Sequence, residues 1–115
     1  ERVILDPVVL QGLLDGAWRS YPFKRFRDGV DICLLYEGDA TLALLRYAPG
    51  ASVPRHRHTG LETVLILEGA QSDERGEYAA GCCVLNPPGF EHRVASAGGC
   101  VVLVHWSSPV EFTEP

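Results

Sequence analysis

Long apolar runs are missing from this chain, and so are long basic ones. No uninterrupted apolar stretch approaches the ~20 residues that a membrane-spanning helix needs. The first apolar segment is broken by Asp6, Pro7 and Asp15, which leaves no secretory signal. Lysine and arginine together number 10 against 15 aspartates and glutamates, a net charge of −5. An acidic chain without a basic run is a poor match for nucleic acid. No Cys-x2-Cys pair is present to signal a zinc finger or a redox motif. A Ser/His/Asp set and a glycine-rich phosphate loop in its proper context are absent too. These gaps exclude nucleic-acid binding and membrane insertion by helices, and they point the search at the histidines.

What is present is ordinary in bulk. The 115 residues are enough for one domain, residues 1–115, with its own core. No repeat, linker or low-complexity segment divides them. Four cysteines, Cys33, Cys82, Cys83 and Cys100, lie in apolar, strand-like runs. They are expected to be small buried hydrophobes, not disulfide partners, which favours a reducing, cytoplasmic setting. The chain opens at Glu1 instead of Met, which leaves open whether an upstream segment has been trimmed.

Local signals are mostly those of β-structure. Asp6-Pro7, a run of valine and leucine, and Gly16 predict a short N-terminal helix capped by Asp6. Residues 18–29 interleave aromatic and basic side chains and read as an edge strand over a barrel mouth. Val30 to Tyr36 and Ala40 to Tyr47, joined by Glu37-Gly38-Asp39, predict a hairpin. Strands follow at 53–58, 63–67, 82–85, 92–95 and 100–106, each bounded by Gly or Pro. About seven short strands at near-regular spacing imply an all-β sandwich or barrel.

Within this pattern one stretch carries chemistry. His56 and His58 stand one residue apart, so an extended strand points both to the same face. Glu62 follows at the head of the next strand, and imidazole nitrogen with carboxylate oxygen suits zinc, iron, nickel or manganese. His92 comes three residues after the rigid Pro87-Pro88-Gly89 turn and is a candidate fourth ligand. Arg55 and Arg57 alternate with the two histidines and should point away.

These residues fit two spaced patterns. Gly50, His56, His58, Glu62 and Gly69 fit G-x5-H-x-H-x3-E-x6-G, and Gly81, Pro87, Gly89 and His92 fit G-x5-P-x-G-x2-H-x3-N, with Ser96 where the pattern has Asn. In this the chain resembles the cupins. The resemblance implies a double-stranded β-helix, a jelly-roll barrel, and one divalent metal held by His56, His58, Glu62 and His92. A finer resemblance lies in Pro49 to Gly60, Leu67-Glu68-Gly69, Ser72 to Tyr78 and Pro87 to His92. It is to the cupin domain of zinc-dependent anti-sigma factors and to small cupins that cleave diketones or hydroxylated acetophenones. Nothing upstream of residue 30 supplies the His and Cys ligands of an anti-sigma module, so this chain alone is not expected to bind a sigma factor.

Three functions follow as expectations. One is a metal-dependent dioxygenase-type enzyme for a small oxygenated molecule, with an inner cavity and polar groups near the metal. Another is a non-catalytic metal- or ligand-sensing cupin with a narrow site. A third is a structural domain stabilised by its metal. Arg46 could hold a substrate carboxylate if it faces inward, and His105 is a weaker substrate-binding candidate in an apolar run. Glu68 and Glu91 read as solvated rim residues. Strands apolar on both faces need cover, so a homodimer is expected.

Overall fold

A computed structural model describes residues 6–115. Ten antiparallel strands follow two 3-10 turns at Leu13–Asp15 and Ala17–Ser20. The strands are β1 (Lys24–Arg27), β2 (Val30–Glu37), β3 (Thr41–Tyr47), β4 (Ala51–His58) and β5 (Glu62–Asp73), then β6 (Gly76–Ala79), β7 (Cys83–Asn86), β8 (Glu91–Ser96), β9 (Cys100–Trp106) and β10 (Val110–Phe112). They curl into the jelly roll that the cupin resemblance implies, in the order β1-β2-β3-β9-β5-β8-β4-β10, with β6 and β7 also paired to β5. No helix among the described residues is long and apolar enough to cross a membrane.

Two irregularities decide which side chains face the interior. In β4 the register shifts between Val53 and His56, so one extra residue is accommodated there. Strict alternation from Val53 would send Arg55 and Arg57 inward. The bulge reverses the parity, and Ala51, Val53, His56 and His58 are the buried set. Pro54 sits at this bulge, where a missing N–H costs no ladder bond. In β5 a second shift, between Ile66 and Glu68, does the same. Glu62, Val64 and Ile66 are buried before it and Gln71 after it. Gly69 has φ +74° and would place a Cβ 2.2 Å from the Gly99 carbonyl oxygen, so no side chain fits where β5 crosses from one sheet to the other.

Two apolar clusters result. The inner one is built from valine, isoleucine and leucine of β2, β3, β5, β8 and β9, with Tyr47 among them. The outer one gathers Trp18, Cys33, Leu44 and Val101, with Leu13, Tyr21 and Phe23 packed against it. The N-terminal segment therefore covers part of the outer face, and a second copy is not needed for that part. The helix expected over residues 6–16 is not formed. Gly12 at φ +72° and Gly16 at φ +81° break the backbone on either side of a single 3-10 turn. Cys33 and Cys100 are buried as expected, but Cys82, just before β7, and Cys83, its first residue, are exposed.

Candidate metal centre

His56 and His58 come from the end of β4, and His92 from the start of β8, directly opposite His56 in the ladder. All three are at least 95% buried. Their candidate ligand atoms lie within 4.8 Å of one another, and the His58 and His92 Nε2 atoms are 3.0 Å apart. The ring centroids are 4.7 to 5.0 Å apart, each ring edge-on to the others. Three cations could not share such a space, so the cluster requires mainly neutral rings.

The electrostatics agree. Burial pushes His58 down to about 4, and His92 adds to the effect. Burial also lowers His56, against the opposing pull of a hydrogen bond to the Pro54 carbonyl. That bond, 2.8 Å from Nδ1, fixes the tautomer, because a carbonyl oxygen only accepts. His56 Nε2 is left with its lone pair free. His92 is oriented the same way, its Nδ1 2.9 Å from Asp73 Oδ2. Burial works against the charge on Asp73, but bonds from His92 and from the backbone N–H groups of Arg75 and Gly76 outweigh it and keep its carboxyl below the ordinary range. A carboxylate behind a ligating imidazole raises its basicity and fixes its aim. The donor set fits a divalent ion: three imidazoles converge, and His56 and His92 carry a proton on Nδ1, on the far side, while His58 Nε2 meets His92 Nε2 at 3.0 Å where an ion would take the place of the shared proton.

Glu62 stands beside the three histidines at the start of β5. Its Oε1 is 3.5 Å from His58 Nε2 and accepts a 2.8 Å bond from the Asn86 amide. Its Oε2 accepts a 2.6 Å bond from the Trp106 indole N–H. Both partners stand across the ladder from Glu62, Asn86 on β7 and Trp106 on β9. The three histidines form the tight cluster, and Glu62 abuts it through His58, anchored from both sides.

A cavity of about 720 Å³ opens beside this cluster and is bordered by His56, Glu62, Trp106 and the apolar inner face of the barrel. Arg46 and His105, the substrate-binding candidates, do not line it. Strand alternation puts Arg46 on the outer face of β3, 2.8 Å from Asp31 and over the Phe23 ring. His105 sits on the outer side of β9, between inward Val104 and Trp106. Arg55 and Arg57 point away from the cluster, paired with Glu74 and Glu111. Glu68 is an exposed partner of Arg19, and Glu91 lies 3.9 Å from Arg55. Asp73, Asn86 and Trp106 were not singled out from the sequence. Asp73 and Asn86 fall in turn-like stretches, and the bonds they make depend on ladder register that no local spacing shows.

A family model described as the ChrR cupin-like domain matches residues 16–110. The chain belongs to the ChrR cupin-like family. It is 33% identical over 113 residues to the anti-sigma-E factor ChrR of Cereibacter sphaeroides, covering 93% of this chain and 53% of that protein. The chain thus spans about half the length of that relative. The structure of Rhodobacter sphaeroides SigE in complex with the anti-sigma ChrR aligns with a TM-score of 0.75 at 28% identity, over 87% of this chain and 57% of the other. A putative acetylacetone dioxygenase from Methylibium petroleiphilum aligns with a TM-score of 0.82 over 100% of this chain and 86% of the other. At 15% identity, that last likeness speaks for the fold alone.

Proposed function

We propose that this ChrR-type cupin holds one divalent metal ion with His56, His58 and His92, with Glu62 as the fourth ligand, and acts on a small oxygenated molecule in the adjoining cavity. The observation that carries the reading is the convergence of three buried histidines, one of which, His56, borders a chamber of about 720 Å³ together with Glu62. A purely structural ion would need no such chamber. Iron, zinc, nickel and manganese all suit the donors, and availability selects among them. A bound ion would supply Lewis acidity toward an oxygen of the ligand and, if it is iron, a centre for oxygen chemistry.

The protein's own part is to place and to exclude. Pro54 and Asp73 hold the His56 and His92 rings with Nε2 forward. Asn86 and Trp106 hold the Glu62 carboxylate so that it does not swing into the chamber. The valine-rich wall keeps bulk water from a bound ligand.

A second reading is favoured by the family. Domains like this one form part of an anti-sigma factor, so the same metal and chamber can serve a sensing module without turnover. Elemental analysis of untagged protein beside a His56→Ala variant separates these readings from a metal-free fold. One metal per chain is expected, lost in the variant, and Asp73→Asn should weaken binding about 10- to 100-fold. Oxygen uptake with diketones or hydroxyaryl ketones would favour turnover. Stoichiometric metal with no uptake would favour sensing, and metal in neither protein would overturn the ligand set.

A further inference from the structure

The inner wall of the chamber carries a polar pair that the metal centre does not use. Tyr47, at the end of β3, and Gln71, in the second half of β5, both line the cavity, yet are only 5% and 8% exposed. Their neighbours on that wall are apolar: Ile32, Leu45, Val53, Val64, Val94 and Val102. Gln71 Nε2 lies 3.5 Å from the Tyr47 hydroxyl oxygen, a long bond and the one hydrogen bond either side chain makes among the described residues. In that bond the tyrosine accepts, so its own O–H proton has no protein acceptor there, and the Gln71 carbonyl oxygen has no donor. Burial, with the charges of Cys100 and Glu62 behind it, raises the tyrosine well above its ordinary range and keeps that proton in place.

The leftover donor and acceptor open onto the chamber, and in an apolar wall such groups favour a partner that hydrogen-bonds to them. Packing does not require them. Leucine and phenylalanine would fill the same wall without polar atoms. The bulge in β5 is what turns Gln71 inward at all. The charge pattern narrows the partner further. Glu62 on the same wall is an acid, and the lysine and arginine that border the cavity, Lys24 and Arg25, are exposed on edge strand β1. Neither Tyr47 nor Gln71 is ionic, and no charged side chain among the described residues hydrogen-bonds to either of them, so the contacts they offer are those of a neutral partner.

We infer that Tyr47 and Gln71 form a subsite for the carbonyl or hydroxyl oxygen of a neutral, largely apolar molecule whose body fills the valine-lined chamber. The tyrosine O–H donates to a ketone oxygen, and the glutamine carbonyl accepts from a hydroxyl or enol. The inference rests on the chamber being the ligand site of the proposed metal cupin, and it adds the class of ligand and the end at which that ligand is read.

The test uses a matched pair of probes, 2-acetylnaphthalene and 2-ethylnaphthalene, which share a body and differ in the oxygen. Binding is measured by calorimetry on the purified chain, with metal content determined on every sample. The ketone is expected to bind about tenfold more tightly than the hydrocarbon, the worth of one or two neutral hydrogen bonds in a buried site. Tyr47→Phe should cut that preference to about threefold, and Tyr47→Phe with Gln71→Leu should erase it, while hydrocarbon affinity and metal content stay unchanged. Gln71→Leu alone provides the comparison should the tyrosine variant melt early. In His56→Ala the ketone preference should persist even as metal is lost. This lets the subsite and the metal centre fail separately. Equal affinity for the two probes, no binding of either, or a preference that survives the double substitution would overturn the subsite.

Discussion

On one face of β3, Leu44 is fully buried in a cluster with Trp18, Cys33 and Val101; on the other, Leu45 and Tyr47 border an open chamber. The same alternation splits β9, with Val101 packed outside and Val102 and Val104 facing the cavity. Both faces are apolar, so composition does not distinguish them. What differs is the covering. Part of the outer face is sealed by side chains of the chain's own N-terminal segment, whereas the inner face is walled but left unfilled. Close packing returns dispersion and transfer energy on the outer side, and a chamber forgoes part of it on the inner side. The outer cluster is thus where stability should be concentrated, and the inner face is where binding should be.

The sharpest way to break this division is Trp18→Ala. The side chain is 4% exposed and stands at the centre of the outer cluster, so its loss should cost about 3–5 kcal/mol, measured by denaturant unfolding. Metal stoichiometry below the transition should stay at the wild-type value, since no metal-centre residue belongs to that cluster. Loss of metal in the folded variant would mean that the two faces are coupled through β3 and β9 and are not independent.

Acid should act on the opposite face. His58 is held at about 4 in the folded protein, below its ordinary value of 6.5. Between those values the unfolded chain takes up a proton that the folded chain refuses, so stability is complete above pH 6.5 and falls as pH drops toward 4. For this one group the loss is about 3 kcal/mol in chelator-treated protein, read from melting temperature against pH. A His58→Gln variant should flatten that part of the profile. An unchanged slope would show that the acid sensitivity lies elsewhere.

The same comparison explains what could be read without the structure. His56, His58, Glu62 and His92 were legible because their spacing follows from the strand period and from two short turns. Arg46 was ambiguous for a plain reason: β3 has leucines on both faces, so alternation alone does not say which side is inner. The β4 bulge is itself hidden, yet its effect is legible, because valine, histidine and histidine are the residues that belong inside. The β5 bulge is not. It reverses parity after Ile66 and brings Gln71 and Asp73 inward from a stretch that otherwise reads as a polar turn. Strands as short as β6 and β10 escaped because three or four residues are too few to show a period, and β10 is nevertheless what pairs alongside His56 and His58.

Arg46 gives the smallest effect and the finest check on the division of faces. Its guanidinium meets Asp31 at 2.8 Å, but both side chains are about 40% exposed, so solvent screens the pair. Such a bridge is worth at most about 1 kcal/mol, and stacking over Phe23 adds a similar small amount at an exposed site. Arg46→Gln should therefore lower unfolding free energy by about 1 kcal/mol and leave both metal content and ketone affinity at wild-type values. An inward arginine would behave otherwise: its removal would weaken or strengthen ligand binding severalfold, because a charge in an apolar chamber is felt over its whole width. A change in ligand affinity without a change in stability would place Arg46 at the chamber and undo the separation of the two faces at its most exposed point.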